Sequence, residues 1–148
     1  MKKLVLLAVS ILLASTAMAQ PISAEQVPPL AFVALQQHYP QAQNVRWKRA
    51  QGWYQASYSQ NAAQRLVRFS DSGDVEATGE NISLTALPLP VRNTLTKHYP
   101  TRKICQAARI TNARTKAITY EVATCETFIS RTIVLMPNGV KVPRTVRK

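Results

Sequence analysis

The order of apolar and polar positions divides the chain into helical and strand-like segments. Residues 29–38 and 90–98 carry apolar side chains at helical spacing, and each segment opens at a proline and ends before a Tyr-Pro pair. Proline fits the first turn of a helix, and the residue before a proline is pushed out of helical geometry, so both ends of each helix are defined. The apolar positions predicted to face inward are Leu30, Val33, Leu35, Val91 and Leu95.

After each helix the period changes to the alternation that is typical of half-buried strands. The sequence predicts four strands behind each helix, with a hairpin between the last two of each set. Turn signals for those hairpins are Asp71-Ser72-Gly73-Asp74 and Pro137-Asn138-Gly139. The predicted strands cover residues 45–48, 54–58, 67–69, 75–78, 104–110, 118–124, 128–135 and 140–146.

An internal repeat accompanies this pattern. His38-Tyr39-Pro40 recurs as His98-Tyr99-Pro100, sixty positions later, and a proline-led helical segment precedes both copies. Self-similarity at a fixed period indicates a repeated structural unit. The sequence therefore predicts an α+β fold of two tandem repeats, each a helix packed on an antiparallel sheet of three to four strands. The first repeat covers residues 20–86 and the second covers residues 87–148.

The N-terminal segment has the pattern of a cleaved secretory signal. Lys2 and Lys3 precede an apolar run of about eleven residues, and small residues follow, ending at Ala17-Met18-Ala19. The run is too short to span a bilayer, which takes roughly twenty residues. We expect a signal peptide over residues 1–19, cleavage after Ala19, and a soluble periplasmic or secreted protein without a transmembrane segment.

Two cysteines in an exported chain favour a structural disulfide. If the strands that contain Cys105 and Cys125 form a hairpin in which paired residue numbers add up to 230, the two cysteines lie opposite each other. The same register places Arg109 opposite Glu121 and predicts a charge pair between them. The interpretation is thus a disulfide within the second, basic repeat.

Positive charge is concentrated in the second half of the chain. Residues 20–86 contain five basic and five acidic residues, whereas residues 87–148 contain twelve basic residues against Glu121 and Glu126. Such a surplus is either a solvated surface or a binding surface for an anionic partner. The candidate anion-binding residues are Arg102, Lys103, Arg109, Arg114, Lys116, Arg131, Lys141, Arg144, Arg147 and Lys148.

Aromatic residues are concentrated in the first predicted sheet, at Trp47, Trp53, Tyr54 and Tyr58. Aromatic side chains are enriched at binding hot spots, and they also fill the core of small sheets. Alternation puts Tyr54 and Tyr58 on one face and Trp53 on the other, so at most one set is fully buried. The outward set is the candidate site for a protein partner.

Several of these motifs together resemble a known family. The Tyr-Pro helix end, Val45-x-Trp47, Trp53-Tyr54, Phe69-x-Asp71-x-Gly73 and the Leu87-Pro88 helix start are similar to the PepSY-like proteins, also called beta-lactamase-inhibitor-protein-like domains, of bacterial envelopes. The resemblance extends from Val27 to about Val146. It implies an exported domain with a helix packed on an antiparallel sheet in each repeat, and no catalytic residues.

No catalytic, cofactor or metal site is expected. His38 and His98 each end a helix, where a histidine interacts favourably with the helix dipole, so both are interpreted as structural. Asp71, Asp74 and Glu76 lack the twelve-residue ligand series of a calcium loop and fit a polar turn. The sequence contains no set of titratable residues that converges on one reaction.

The sequence therefore predicts a non-enzymatic binding module that presents a sheet surface to a protein or peptide, with an inhibitor-like role as one form of that function. The alternative is an electrostatic adaptor that binds anionic envelope material, such as lipopolysaccharide or acidic polysaccharide, through the basic second repeat. A nucleic acid partner is disfavoured, because an exported protein seldom meets one and the chain has no recognition-helix motif.

Overall fold

One antiparallel sheet runs through the whole computed structural model, which describes residues 19–50, 52–125 and 131–143. Within these residues the sheet has eight strands that follow one another in chain order. The strands are β1 (Gln20–Ile22), β2 (Gln43–Ala50), β3 (Trp53–Gln60), β4 (Ala63–Phe69), β5 (Val75–Ile82), β6 (Ile104–Asn112), β7 (Ile118–Thr124) and β8 (Thr132–Leu135). Helix α1 (Pro29–His38) connects β1 to β2, and helix α2 (Leu89–His98) connects β5 to β6.

The predicted fold of two tandem helix-on-sheet repeats is wrong. Strand β5 pairs with β4 along one edge and with β6 along the other, so the sheet continues without a break from the first half of the chain into the second. β5 continues to Ile82, four residues beyond its predicted end, and this longer strand supplies the backbone groups that pair with β6. The molecule is a single curled sheet with two short helices.

The helices begin and end close to the predicted positions. α1 has the predicted bounds, with Pro29 in its first turn, and α2 begins one residue earlier than predicted, at Leu89. The predicted inward stripe of α1 is wrong in part, because Leu30 and Val33 are 60% and 43% exposed. Ala31, Ala34 and Leu35 face the sheet instead, and the two small alanine side chains allow a close approach.

Both helices pack on the same face of the sheet, which we call the helix-side face. α1 covers a cluster that contains Trp47, Tyr54, Tyr58, Val67 and Phe69 on β2 to β4. α2 covers a second cluster on β6 to β8, which contains Ala107, Tyr120, Val122, Ile133 and Leu135. These two clusters form most of the hydrophobic core, one under each helix.

The opposite face has no helix on it in the described part of the chain. Four of its apolar side chains are nevertheless buried against one another, and all four come from the middle of the sheet: Leu66, Ala77, Ala108 and Ile110. Side chains of β4, β5 and β6 can bury each other without a covering layer when the sheet curls toward that side. We call this side the concave face.

Small residues permit the curl. A Cβ atom on Gly79 would lie 2.6 Å from the Cδ1 atom of Ile110 and 3.2 Å from the Cδ1 atom of Leu66. Glycine at this position therefore leaves the room into which both neighbouring side chains fold. Ala77 and Ala108 add little bulk beside them.

The register between β6 and β7 differs from the prediction by one residue. Ala108 lies opposite Glu121 and Arg109 lies opposite Tyr120, so the predicted pairing of Arg109 with Glu121 is wrong. The pairing starts with Thr111 opposite Ile118 beside the turn, where the residue numbers add up to 229 instead of 230, and a bulge between Ile104 and Gln106 shifts Ile104 by one more residue. Cys105 and Cys125 still form the predicted disulfide, with 5.7 Å between their Cα atoms.

The ends of the chain are described only in part. The predicted signal peptide and its cleavage site fall on residues of which 1–18 lie outside the described part. The strand predicted at 128–135 begins at Thr132 within the described residues. Of the strand predicted at 140–146, the described residues show one bridge, between Lys141 and Leu135.

Candidate binding face

The centre of the concave face is an ion pair between distant strands. Arg68 of β4 donates from Nη1 to Oε1 of Glu121 at 2.8 Å and from Nη2 to Oε2 at 2.6 Å. Strands β5 and β6 lie between them, and in a flat sheet β4 and β7 are about 14 Å apart. The contact agrees with a sheet that curls toward this face. The two side chains are 14% and 19% exposed.

An indole ring and an amide complete the surroundings of Arg68. Its guanidinium carbon lies 4.4 Å from the centroid of the Trp53 ring, within the range of a cation–π contact. Its Nε donates to Oε1 of Gln55 at 3.0 Å, and Nε2 of Gln55 donates to the hydroxyl of Ser57 at 3.1 Å. The bonds hold the guanidinium beside the indole ring, which is partly exposed.

Two more cations stand beside this network. Arg46 and Lys48 of β2 are exposed, and they pair with Ser57 and Gln55 of β3, which places them on the concave face. Glu121 is the acidic side chain of this network, and Arg68 already neutralises it. The concave face therefore carries a net positive charge on its β2 side.

The structure separates the four predicted aromatic residues. Trp47, Tyr54 and Tyr58 are buried in the core under α1, whereas Trp53 lies partly exposed on the concave face. The predicted alternation of Trp53 against Tyr54 and Tyr58 is confirmed. Trp53 is therefore the member of the set that has a surface for a partner, and its binding role remains a prediction.

Sequence reasoning did not single out the residues around Trp53. Arg68 and Gln55 occupy the polar positions of alternating strands, a pattern that indicates a face and nothing more specific. The predicted register of β6 and β7 pairs Glu121 with Arg109, and that register is wrong. The alternation of Arg46 and Lys48 with Val45 and Trp47 was the one available signal for a basic edge on this face.

The seven candidate anion-binding residues within the described part of the chain do not form one surface. Lys103 and Arg131 lie beside Cys125 and Thr124, at the end of the sheet where β6 and β8 begin. Arg114 and Lys116 lie at the other end, in the turn between β6 and β7.

The remaining members of that set are spread further. Arg109 is on the helix-side face, Arg102 lies beside the Tyr99 ring after α2, and Lys141 follows β8. Arg144, Arg147 and Lys148 lie outside the described residues. Anion binding by the set remains a prediction.

The remaining candidates have structural surroundings. His38 and His98 are the last residues of α1 and α2, as predicted. Asp74 accepts a hydrogen bond from the hydroxyl of Ser72 within the predicted turn around Gly73. The described residues contain no group of three or more His, Cys, Asp or Glu side chains placed to hold a metal ion. In the same residues, no helix has the length and apolar character needed to cross a membrane.

Comparison with known proteins gives matches in structure alone. No protein-family model and no curated protein matches the chain. A proposed periplasmic protein from Bacteroides eggerthii superimposes with a TM-score of 0.61 at 16% identity, over 79% of this chain and 86% of that one. A DUF2874 family protein from Bacteroides uniformis gives 0.59 at 18% identity, over 78% and 86%. A BLIP-like protein from Bacteroides fragilis gives 0.53 at 16% identity, over 77% and 82%.

The fold is that of DUF2874 and BLIP-like proteins. At these identities the likeness concerns the fold alone. The beta-lactamase-inhibitor-protein-like part of the predicted resemblance is therefore supported at the level of the fold, and the PepSY part remains a prediction. None of the three structures bears the name of an enzyme.

Proposed function

We propose that the protein is a non-enzymatic binding module of the bacterial envelope that receives a protein or peptide on its concave face. The observation that carries the proposal is the network of Trp53, Arg68 and Glu121 on a sheet face that no helix of the described residues covers. Trp and Arg are the residue types most enriched at binding hot spots. A curved sheet of this kind offers a partner a rigid surface, because backbone hydrogen bonds and the two cores hold it from behind.

The arrangement favours protein contact over chemistry. Arg68 already has a carboxylate, an amide oxygen and an aromatic ring as partners, so its position is fixed before a partner arrives. A fixed arginine and a partly exposed indole lower the conformational entropy that binding costs. The two cations on β2, Arg46 and Lys48, favour a partner with acidic side chains beside an apolar anchor.

Two observations support a location in the periplasm or outside the cell. The structural relative from B. eggerthii is a proposed periplasmic protein. The N-terminal segment has the sequence pattern of a secretory signal. We place the protein in the periplasm, or outside the cell, as part of the same proposal. An inhibitor role is one form that such binding can take.

The experiment is a capture of envelope proteins by immobilised wild-type protein, followed by a direct binding measurement with the purified captured partner. We expect Trp53→Ala to weaken that binding at least about tenfold, because a hot-spot aromatic is lost. Leu89→Ala is the matched control, since Leu89 is 60% exposed on α2 and lies away from the concave face. Equal binding by both variants would remove the concave face from consideration.

Ionic strength separates the proposal from the electrostatic adaptor. A contact centred on Trp53 and its rigid surroundings persists at high salt, whereas attachment to an anionic polymer through exposed Lys and Arg side chains collapses. Binding that disappears between about 0.05 and 0.5 M salt in every variant would favour the adaptor.

A further inference from the structure

A depression lies on the helix-side face, in the middle of the sheet between the areas that the two helices cover. It is an open groove of about 260 Å³, which we call the central groove. Its lining side chains come from four adjacent strands and are Tyr58, Arg65, Thr78, Glu80, Arg109 and Thr111. Tyr39, which follows α1, closes one side.

Its charged residues form a row across the strands. Arg65 lies opposite Tyr58 on one side and opposite Glu80 on the other, and Glu80 in turn lies opposite Arg109. Directly opposed side chains have Cβ atoms about 5 Å apart. One carboxylate therefore stands between two guanidinium groups in the floor of the groove.

The single carboxylate does not satisfy both arginines. Nη1 of Arg109 and Oε1 of Glu80 are 4.0 Å apart, which is too long for a hydrogen bond, and their side chains are 44% and 45% exposed. Within the described residues, neither Arg65 nor Arg109 donates a hydrogen bond to another side chain. The groove thus has a net positive charge and two guanidinium forks with donors to spare.

Neutral hydroxyl groups surround these forks. Thr78 and Thr111 lie opposite each other on β5 and β6, two residues along each strand from the charged row. The rings of Tyr39 and Tyr58 are 5.5 Å apart and form a wall of the groove. Burial raises the pKa of both tyrosines above the ordinary 10.0, with a smaller opposing influence of Arg65 on Tyr58. Both hydroxyls are therefore protonated at neutral pH and can donate.

We infer that the central groove binds a small oxyanion, a carboxylate or a phosphate group, between Arg65 and Arg109. Guanidinium groups bind both groups through paired hydrogen bonds, and the threonine hydroxyls supply further donors. A volume of about 260 Å³ has room for a carboxylate or phosphate group. The groove lies on the face opposite Trp53, so this inference does not depend on the proposed function.

A substitution of Glu80 tests the inference, because the expected change is a gain in anion affinity rather than a loss. Its carboxylate occupies the position between the arginines and competes with an incoming anion. Glu80→Gln keeps the shape of the side chain and removes that competitor, so it should strengthen anion binding several-fold. Arg65→Gln and Arg109→Gln should each weaken it about tenfold, the loss expected for a charge-assisted hydrogen bond.

The measurement is a titration of the purified protein with inorganic phosphate and, separately, with succinate, at constant ionic strength, followed by the shifts of backbone amide resonances. We expect shifts confined to the amides near Thr78, Glu80, Arg109 and Thr111. Arg92→Gln is the matched control, because it removes one exposed positive charge from α2, outside the groove, and should leave the affinity unchanged.

The two ligands identify which oxyanion the groove prefers, and binding of either supports the inference. Three outcomes overturn it: no localised shifts in the wild-type protein with both ligands, equal losses in Arg92→Gln and Arg109→Gln, or no gain in Glu80→Gln. The wild-type shifts decide the matter even if an arginine variant proves unstable.

Discussion

Arg68 and Glu121 form a bidentate ion pair although 53 positions separate them in the sequence and two strands separate them in the sheet. The pair joins the half of the sheet under α1 to the half under α2. Arg68 lies opposite Ala77 and Glu121 lies opposite Ala108, so the pair spans the strands that carry the small apolar cluster of this face. The pair therefore contributes both to the curvature of the concave face and to its polarity.

Removing one partner of this pair should destabilise the protein. Glu121→Ala leaves a guanidinium group that is 14% exposed without its counter-charge, and we expect the free energy of unfolding to fall by about 2 kcal/mol. The double variant Arg68→Met with Glu121→Leu should recover part of the loss, because two apolar side chains leave no charge unpaired. Urea unfolding of both variants measures the difference.

The exposed pair of Arg109 and Glu80 supplies the control for that measurement. Its atoms are 4.0 Å apart and its side chains are more than 40% exposed, so Glu80→Ala should change the free energy of unfolding by no more than about 0.5 kcal/mol. Equal effects of Glu80→Ala and Glu121→Ala would contradict a structural role for the central pair.

The curl of the sheet can be tested at Gly79. Alanine in place of a strand glycine usually stabilises a protein by about 0.4–1 kcal/mol, because it restricts the unfolded chain. Here the added methyl group would lie 2.6 Å from Cδ1 of Ile110 and 2.9 Å from the carbonyl oxygen of Arg109. We therefore expect Gly79→Ala to destabilise the protein by about 1–3 kcal/mol.

Thermal or urea unfolding gives the sign of the Gly79 effect. Asn81→Ala on the same strand is the control, since Asn81 is exposed and should stay within about 0.5 kcal/mol of the wild type. A stabilised Gly79→Ala variant would mean that Leu66 and Ile110 do not close over this position.

Alkaline pH should weaken the fold through Tyr39 and Tyr58. Burial raises the pKa of each tyrosine in the folded state above the ordinary 10.0. Below pH 10 both are protonated in the folded and unfolded states, and their contribution is constant. Above pH 10 the unfolded chain loses these protons first, so the free energy of unfolding falls as the pH rises through the folded-state pKa values.

The test compares urea unfolding at pH 9 and pH 11 in the wild type, Tyr39→Phe and Tyr58→Phe. Phenylalanine cannot ionise, so each variant should lose less stability between the two pH values than the wild type does. The same dependence in all three proteins would assign the alkaline loss to other groups.

The sequence predicted local structure better than it predicted pairing. Proline rules and the Tyr-Pro ends placed both helices, and the period-two pattern placed most of the strands, because these signals depend on neighbouring residues. The repeat of His-Tyr-Pro suggested two separate sheets, since periodicity carries no information about the second partner of β5. Hydrogen bonds between β5 and β6 join the halves, and no local pattern marks them.

The candidate binding face was predictable only in outline. Alternation correctly put Trp53 on the face opposite Tyr54 and Tyr58. The contact of Arg68 with Glu121 could not be predicted, because it depends on the curl of the sheet and on the turn between β6 and β7, which sets their register one residue away from the predicted one. A one-residue shift exchanges the two faces of a strand, which is why Glu121 had seemed to belong with Arg109.

The last prediction concerns the basic second half of the chain. It tests whether anionic vesicles are bound by one local surface or attracted by the total positive charge. Lys103 with Arg131, and Arg114 with Lys116, lie at opposite ends of β6, a strand about 30 Å long, which exceeds the Debye length of about 8 Å at physiological salt. Each pair therefore acts on its surroundings independently. Reversing either pair to glutamate changes the net charge by the same amount, so attraction that depends on total charge should weaken equally in the two double variants. We expect this equal and modest loss in co-sedimentation with phosphatidylglycerol vesicles at about 0.1 M salt, where the Debye length is about 10 Å, and no retention on neutral vesicles. A loss confined to one pair would instead locate an anion-binding surface at that end of the sheet and revive the adaptor function.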